Sequence, residues 1–188
     1  MNPDRELVDA VLRGAPGAFE RLVRAHQDLC WRIVYRMVRD TEDARDLCQE
    51  TFLRVHRRLD QYRYESALKS WIGRVAYSIA LRHLERRRIA SGEGIEIDAE
   101  TAAMENVGGD FDLEAACADE ELGRHLHAAI DALPPLQRTL LTLYHLEELS
   151  IAEIAEITGL AAGTIKSHLF RTRLKLRDVL EPYVGVAA

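Results

Sequence analysis

Apolar side chains recur along most of this chain at steps of three and four residues, the spacing that gathers one face of an α-helix. Alternation with period two is absent over any useful length, so a β-sheet is not expected. Four helices are predicted in the first half. A short one opens at Asn2-Pro3, a capping residue followed by a proline suited to the first turn, and ends near Gly14. A second spans about 17–39, with Phe19, Leu22, Val23, Cys30, Ile33, Met37 and Val38 on one face. Thr41 is placed to cap a third over about 42–59, whose stripe is Ala44, Leu47, Cys48, Phe52, Val55 and Leu59. A fourth, about 66–88, turns Leu68, Trp71, Ile72, Val75, Ala76 and Ile79 inward.

The periodicity stops at residues 89–120, where Ser91-Gly92-Glu93-Gly94 and Gly108-Gly109 punctuate the chain, and this stretch is expected to be a flexible linker. Helical spacing resumes over about 121–132, 135–146, 150–158 and 164–180, with Pro135 at a first-turn position. The expected architecture is all-α, with two small helical domains. A four-helix domain (1–88) and a second helical domain (121–188) are joined by the linker (89–120).

Charge sharpens this division. The net charge is -6, which by itself argues against a nucleic-acid ligand. The linker, however, holds ten acidic residues and no Lys or Arg. Residues 1–88 carry 18 basic against 13 acidic side chains, and residues 163–177 carry five basic groups and no acid. Such segregation reads equally as local surfaces for a polyanion or as a set of solvated helix faces. The three cysteines, Cys30, Cys48 and Cys117, lack metal-ligand spacing, and the two on helix stripes read as small core residues. The opening residues are too polar for a signal peptide and no apolar run is long enough to span a bilayer, so a cytoplasmic protein without membrane insertion is expected. The seven histidines are scattered and no nucleophile–base or metal constellation occurs; no enzyme activity, cofactor or metal is expected.

The sharpest local signal lies near the C-terminus. Ser150-Ile151-Ala152-Glu153 has the form of a capping box, Gly159 can stop that helix in a left-handed turn, and Gly163-Thr164 opens another. Helix, glycine turn and helix at this spacing make a helix-turn-helix. The second helix has an apolar stripe of Ile165, Leu169, Leu176 and Val179. Lys166, Ser167, Phe170, Arg171, Arg173, Lys175 and Arg177 lie mostly off it, as needed to reach base edges and phosphates in a major groove.

The run from Ala132-Leu133-Pro134-Pro135-Leu136-Gln137-Arg138 through residues 149–160 to Gly163-Thr164-Ile165-Lys166-Ser167-His168-Leu169-Phe170-Arg171-Thr172-Arg173 closely resembles the promoter −35-binding domain of extracytoplasmic-function sigma factors. Gly17-Ala18-Phe19-Glu20-Arg21-Leu22-Val23 and Asp43-Ala44-Arg45-Asp46-Leu47-Cys48-Gln49-Glu50-Thr51-Phe52-Leu53-Arg54-Val55 resemble that family's polymerase-binding segment, and Leu68-Lys69-Ser70-Trp71-Ile72 its lead into the −10-binding helix. The resemblance implies a sigma factor that binds core RNA polymerase, recognises −10 and −35 promoter elements and enables initiation. It places Thr164, Lys166, Ser167, His168, Phe170, Arg171, Arg173 and Lys175 at the −35 element. Tyr64, Lys69, Ser70, Trp71, Arg74, Ser78, Arg82 and Arg86 fall at the −10 element, where aromatic and basic groups suit single-stranded DNA. Asp43, Asp46, Gln49, Glu50 and Arg54 fall at the polymerase. The implied partners are the β′ coiled coil and β flap of core polymerase, promoter DNA and an anti-sigma factor. The competing reading is a LuxR-like helix-turn-helix regulator, which would bind paired half-sites in duplex DNA without polymerase.

Overall fold

The computed structural model describes residues 3–91 and 120–184. Most of the acidic linker, together with Cys117, lies outside the described residues. In chain order the helices are α1 (Pro3–Leu12), α2 (Ala18–Val38), α3 (Thr41–Arg58), α4 (Leu68–Ser91), α5 (Glu120–Asp131), α6 (Pro135–Leu141), α7 (Ile151–Thr158) and α8 (Ala162–Val184). A 3₁₀ turn (Leu59–Gln61) follows α3, and a π turn (Thr142–Leu146) follows α6. No strand occurs among the described residues.

Several boundaries move for local reasons. Asp40, not Thr41, caps α3: its carboxylate accepts the Asp43 amide at 2.9 Å, and Thr41 becomes the first helical residue. The helix expected over 135–146 is α for its first half only. Its last turn widens to π spacing, and the chain leaves through Glu148, a non-glycine residue at φ 51. Ser150 and Glu153 form both halves of the predicted capping box, and Gly159 ends α7 at φ 76. A side chain at that angle would be strained.

The first four helices bury Leu22, Ile33, Leu59, Leu68, Ile72 and Ile79 completely. This core continues without a break into the second half of the chain, through Leu140, Leu143, Ile154, Ile157, Ile165 and Leu169. A smaller cluster of Leu126, Leu133, Leu141, Leu176 and Leu180 ties α5 and α6 to the far end of α8. On α8 the buried stripe is Ile165, His168, Leu169, Thr172, Leu176 and Leu180, whereas Val179 is 52% exposed and does not belong to it.

Helix α4 explains how the halves meet. Besides its predicted stripe it buries Gly73, Tyr77 and Ala80, so its middle turns are covered on two sides. The second covering is α7. A Cβ placed on Gly73 would lie 3.1 Å from both Cγ1 and Cδ1 of Ile157 and 3.3 Å from Cδ1 of Ile33. A side chain at this position would crowd the Ile157 and Ile33 side chains between α4 and its neighbours.

Candidate nucleic-acid interface

Polar contacts follow the same seam, basic groups from the first half meeting acids or carbonyls from the second. Lys69 Nζ lies 2.6 Å from Glu153 Oε1, and Arg74 Nε donates to the Glu156 carbonyl at 2.5 Å. Arg32 pairs with Glu147. Asp131 receives Arg39 at 2.9 Å and Arg36 at 3.7 Å. The Glu153 carboxyl is held down to about 2, chiefly by the Lys69 ammonium and then by the Ser150 amide. It therefore serves α7 as a cap and α4 as a counter-ion at once.

Arg138 is the most deeply placed of these groups, only 4% exposed. Its Nε donates to the Arg36 carbonyl at 2.6 Å, and its Nη1 to the carbonyls of Asp131 and Leu133 at 2.9 and 3.1 Å. The Arg36 carbonyl belongs to the last turn of α2, where helical partners run out, so a cation from α6 satisfies a helix end of the other half. Burial, with the neighbouring Arg39 guanidinium second, lowers the Arg138 pKa to about 10.

The helix-turn-helix is built as the sequence implied: α7, the Gly159 turn, then α8 with Ile165 and Leu169 anchored in the core. Of the residues expected at a −35 element, Lys166 and Lys175 are exposed, and Thr164, Ser167, Phe170, Arg171 and Arg173 are half-buried. His168 departs from that set. It lies three residues after Ile165 on the inward face and is 4% exposed.

The expected −10 residues divide more sharply. Arg82 and Arg86 are exposed on the outer turns of α4, Ser78 is half-buried, and Lys69 and Arg74 are engaged by α7. Trp71 and Tyr64 join an aromatic group centred on Tyr62, whose ring centroid lies 5.4 Å from Trp71 and 4.7 Å from Tyr64. Arg5 stands 5.4 Å over the Tyr64 ring, and Tyr64 itself adopts φ 60. Ser70 is not on this surface: it is 1% exposed, and its hydroxyl has no hydrogen-bond partner among the described residues. Helix α7 lies beside the segment that carries it.

On α3, Asp46 and Gln49 are exposed, and Glu50 pairs with Arg54 at 2.8 Å. Asp43 turns toward α4, 3.3 Å from His83 Nε2 and 3.4 Å from Arg87 Nη1. Leu53, not anticipated as part of this face, is 53% exposed and lines a groove of about 260 Å³ with Glu50, Arg54, Arg57 and Arg58. Its position off the Ala44–Leu59 stripe was the available signal. Among the described residues no cluster of His, Cys, Asp and Glu could hold a metal, and no helix is long and apolar enough to cross a membrane.

Residues 22–89 match the family described as Sigma-70 region 2, and residues 124–176 match Sigma-70 region 4. Those two regions in that order define a sigma-type initiation factor, with α2–α4 in one region and α5–α8 in the other. Across 98% of its length the chain is 34% identical to the RNA polymerase sigma-H factor of Pseudomonas aeruginosa, covering 97% of that protein. It is 32% identical to the ECF RNA polymerase sigma-E factor of Escherichia coli, over 96% of each chain. The chain belongs to the extracytoplasmic-function group of RNA polymerase sigma factors. Two solved structures share the fold. CnrH in complex with the cytosolic domain of CnrY gives a TM-score of 0.66 at 20% identity, over 96% of this chain and 99% of that one. The sigma factor RpoE in complex with the anti-sigma factor NepR, from Bartonella quintana, gives 0.64 at 22% identity, over 88% and 98%.

Proposed function

We propose that the two halves of this sigma factor grip separate promoter elements, and that the packed arrangement is a resting form which opens on core polymerase. Residues 1–88 bind polymerase through α3 and the −10 strand through α4 and the Tyr62 aromatic group. Residues 121–188 read the −35 element through the exposed side of α8 and meet the β flap. Residues 89–120 connect them. The α3 face, with Leu53 beside Glu50 and Arg54, docks the β′ coiled coil. The chain performs no covalent chemistry, since bond formation belongs to the polymerase, and it acts in the cytoplasm.

One observation carries the opening step: Lys69 and Arg74, expected at the −10 strand, are held by Glu153 and the Glu156 carbonyl of α7. Geometry supports it. The two elements lie about 25 base pairs apart, roughly 85 Å of duplex, whereas a compact chain of this length is only about 40 Å across. An anti-sigma factor that clamps the closed form would hold the protein inactive. RpoE, which shares the fold, is in complex with the anti-sigma factor NepR in its own structure.

The test is transcription in vitro from a promoter library by core polymerase with and without this chain. Specific start sites that require the chain are expected, together with a −35 preference that changes when α8 is substituted. Occupancy of palindromic operators by the isolated chain, with no association with polymerase, would overturn the reading in favour of a conventional regulator.

A further inference from the structure

Helices α2 and α3 are antiparallel and joined by Arg39 and Asp40 alone. Cys30 lies eight residues before the end of α2, and Cys48 seven residues after the start of α3, so the hairpin sets them at nearly the same height, facing each other. The two thiols are in hydrogen-bond contact. Their surroundings differ. Cys30 is fully buried in the core, whereas Cys48 is half-buried and lines an open groove of about 370 Å³ with Trp31, Arg45 and Gln49.

We propose that Cys30 and Cys48 are a peroxide-sensitive dithiol that closes to an intrachain disulfide, stapling α2 to α3, with Cys48 as the residue attacked first. The asymmetry favours that order. The Cys30 thiol donates to the Cys48 sulfur and lowers the Cys48 pKa, while the same contact and burial raise that of Cys30. Arg45, paired with Glu42 at 2.8 Å, and Asp28 also line the groove. A hydroperoxide entering the groove meets the Cys48 thiolate. A sulfur–oxygen bond forms as the oxygen–oxygen bond breaks, and the departing oxygen takes up a proton, leaving Cys48 as a sulfenic acid and the peroxide reduced. The Cys30 sulfur then attacks the Cys48 sulfur. The sulfur–sulfur bond forms, the sulfur–oxygen bond breaks, and the leaving hydroxide departs as water with the Cys30 proton. Two thiols lose two electrons in all, and with hydrogen peroxide the products are the disulfide and two waters. The buried partner thereby protects the exposed one from irreversible oxidation.

The experiment uses the full chain carrying Cys117→Ser, so that only this pair can react, treated with hydrogen peroxide, quenched by alkylation and mapped by mass spectrometry. The expected major product is a Cys30–Cys48 linked peptide, with the intact mass lower by about 2 Da. Before oxidation, N-ethylmaleimide should label Cys48 at least about tenfold faster than Cys30. With Cys30→Ser added, Cys48 should stop as a sulfenic acid that dimedone captures. With Cys48→Ser added instead, Cys30 should stay reduced. Circular dichroism checks that each variant is folded, and Cys30→Ala replaces Cys30→Ser should the latter fail that check. Oxidation of Cys48 to a sulfinic acid while Cys30 remains a thiol would overturn the proposal. So would two intact thiols at peroxide concentrations that oxidise glutathione.

Discussion

Replacing Arg138 with methionine removes a guanidinium but keeps most of its unbranched stem, so it isolates the hydrogen bonds from the packing. Two carbonyls lose their donor, that of Leu133 within the second half and that of Arg36 across the seam, while the Asp131 carbonyl keeps the Arg39 guanidinium. Bonds from a charged donor contribute roughly 1.5–3 kcal/mol each, which sets an upper bound well above the expected effect. Two terms reduce it. The guanidinium is itself penalised by burial, as its pKa of about 10 indicates, and removing it relieves that cost. The Asp131 carbonyl also still accepts from Arg39 Nη1, so it is not left without a partner. The expected net loss is about 2–4 kcal/mol, near what breaking a buried charged contact costs and a large share of a typical folding free energy. Urea denaturation followed by circular dichroism measures it. Arg138→Lys should recover less than half, because a single ammonium cannot reproduce the planar fork that reaches both α2 and the α5–α6 turn. A loss within about 0.5 kcal/mol of zero for the methionine variant, or full recovery by lysine, would refute the assignment of Arg138 as the bolt between the halves.

Four further outcomes are expected. Because the folded pKa of Glu153 lies at about 2, below its ordinary 4.5, its contribution is fully present above pH 4.5 and is lost as pH falls toward 2; unfolding midpoints of wild type and Glu153→Gln should converge over that interval. Ser150→Ala should cost about 1 kcal/mol in thermal or urea unfolding, the usual cost of an N-cap, with Gly159 still ending the helix. Leu53→Glu should weaken association with core polymerase, measured by native gel or interferometry, while leaving helicity unchanged because the side chain is already largely in water. Arg171→Ala should weaken binding to a cognate −35 duplex by ~1–3 kcal/mol, the loss of one bidentate base contact, and equal losses on scrambled DNA would reduce Arg171 to a phosphate contact.

What could be read from the amino acids alone was much of what depends on neighbours within a few residues, although the Asp40 cap of α3 and the π turn at Thr142–Leu146 are local and were missed. Helical periodicity, the Ser150–Glu153 box and the Gly159 stop are set by bonds between residues one turn apart, so they appear in the structure where the pattern put them. Helix α4 was read as covered on one side only, with Arg74, Ser78 and Arg82 on an open face. What covers it was not legible. The pairing of Lys69 with Glu153, of Arg32 with Glu147 and of Arg138 with the end of α2 joins residues 84 or more positions apart, and no periodicity encodes such a distance. For the same reason Ser70 and His168 read as surface residues but are enclosed: a helix displays its own faces in its sequence, while the face a distant helix will occupy is decided only when the two pack.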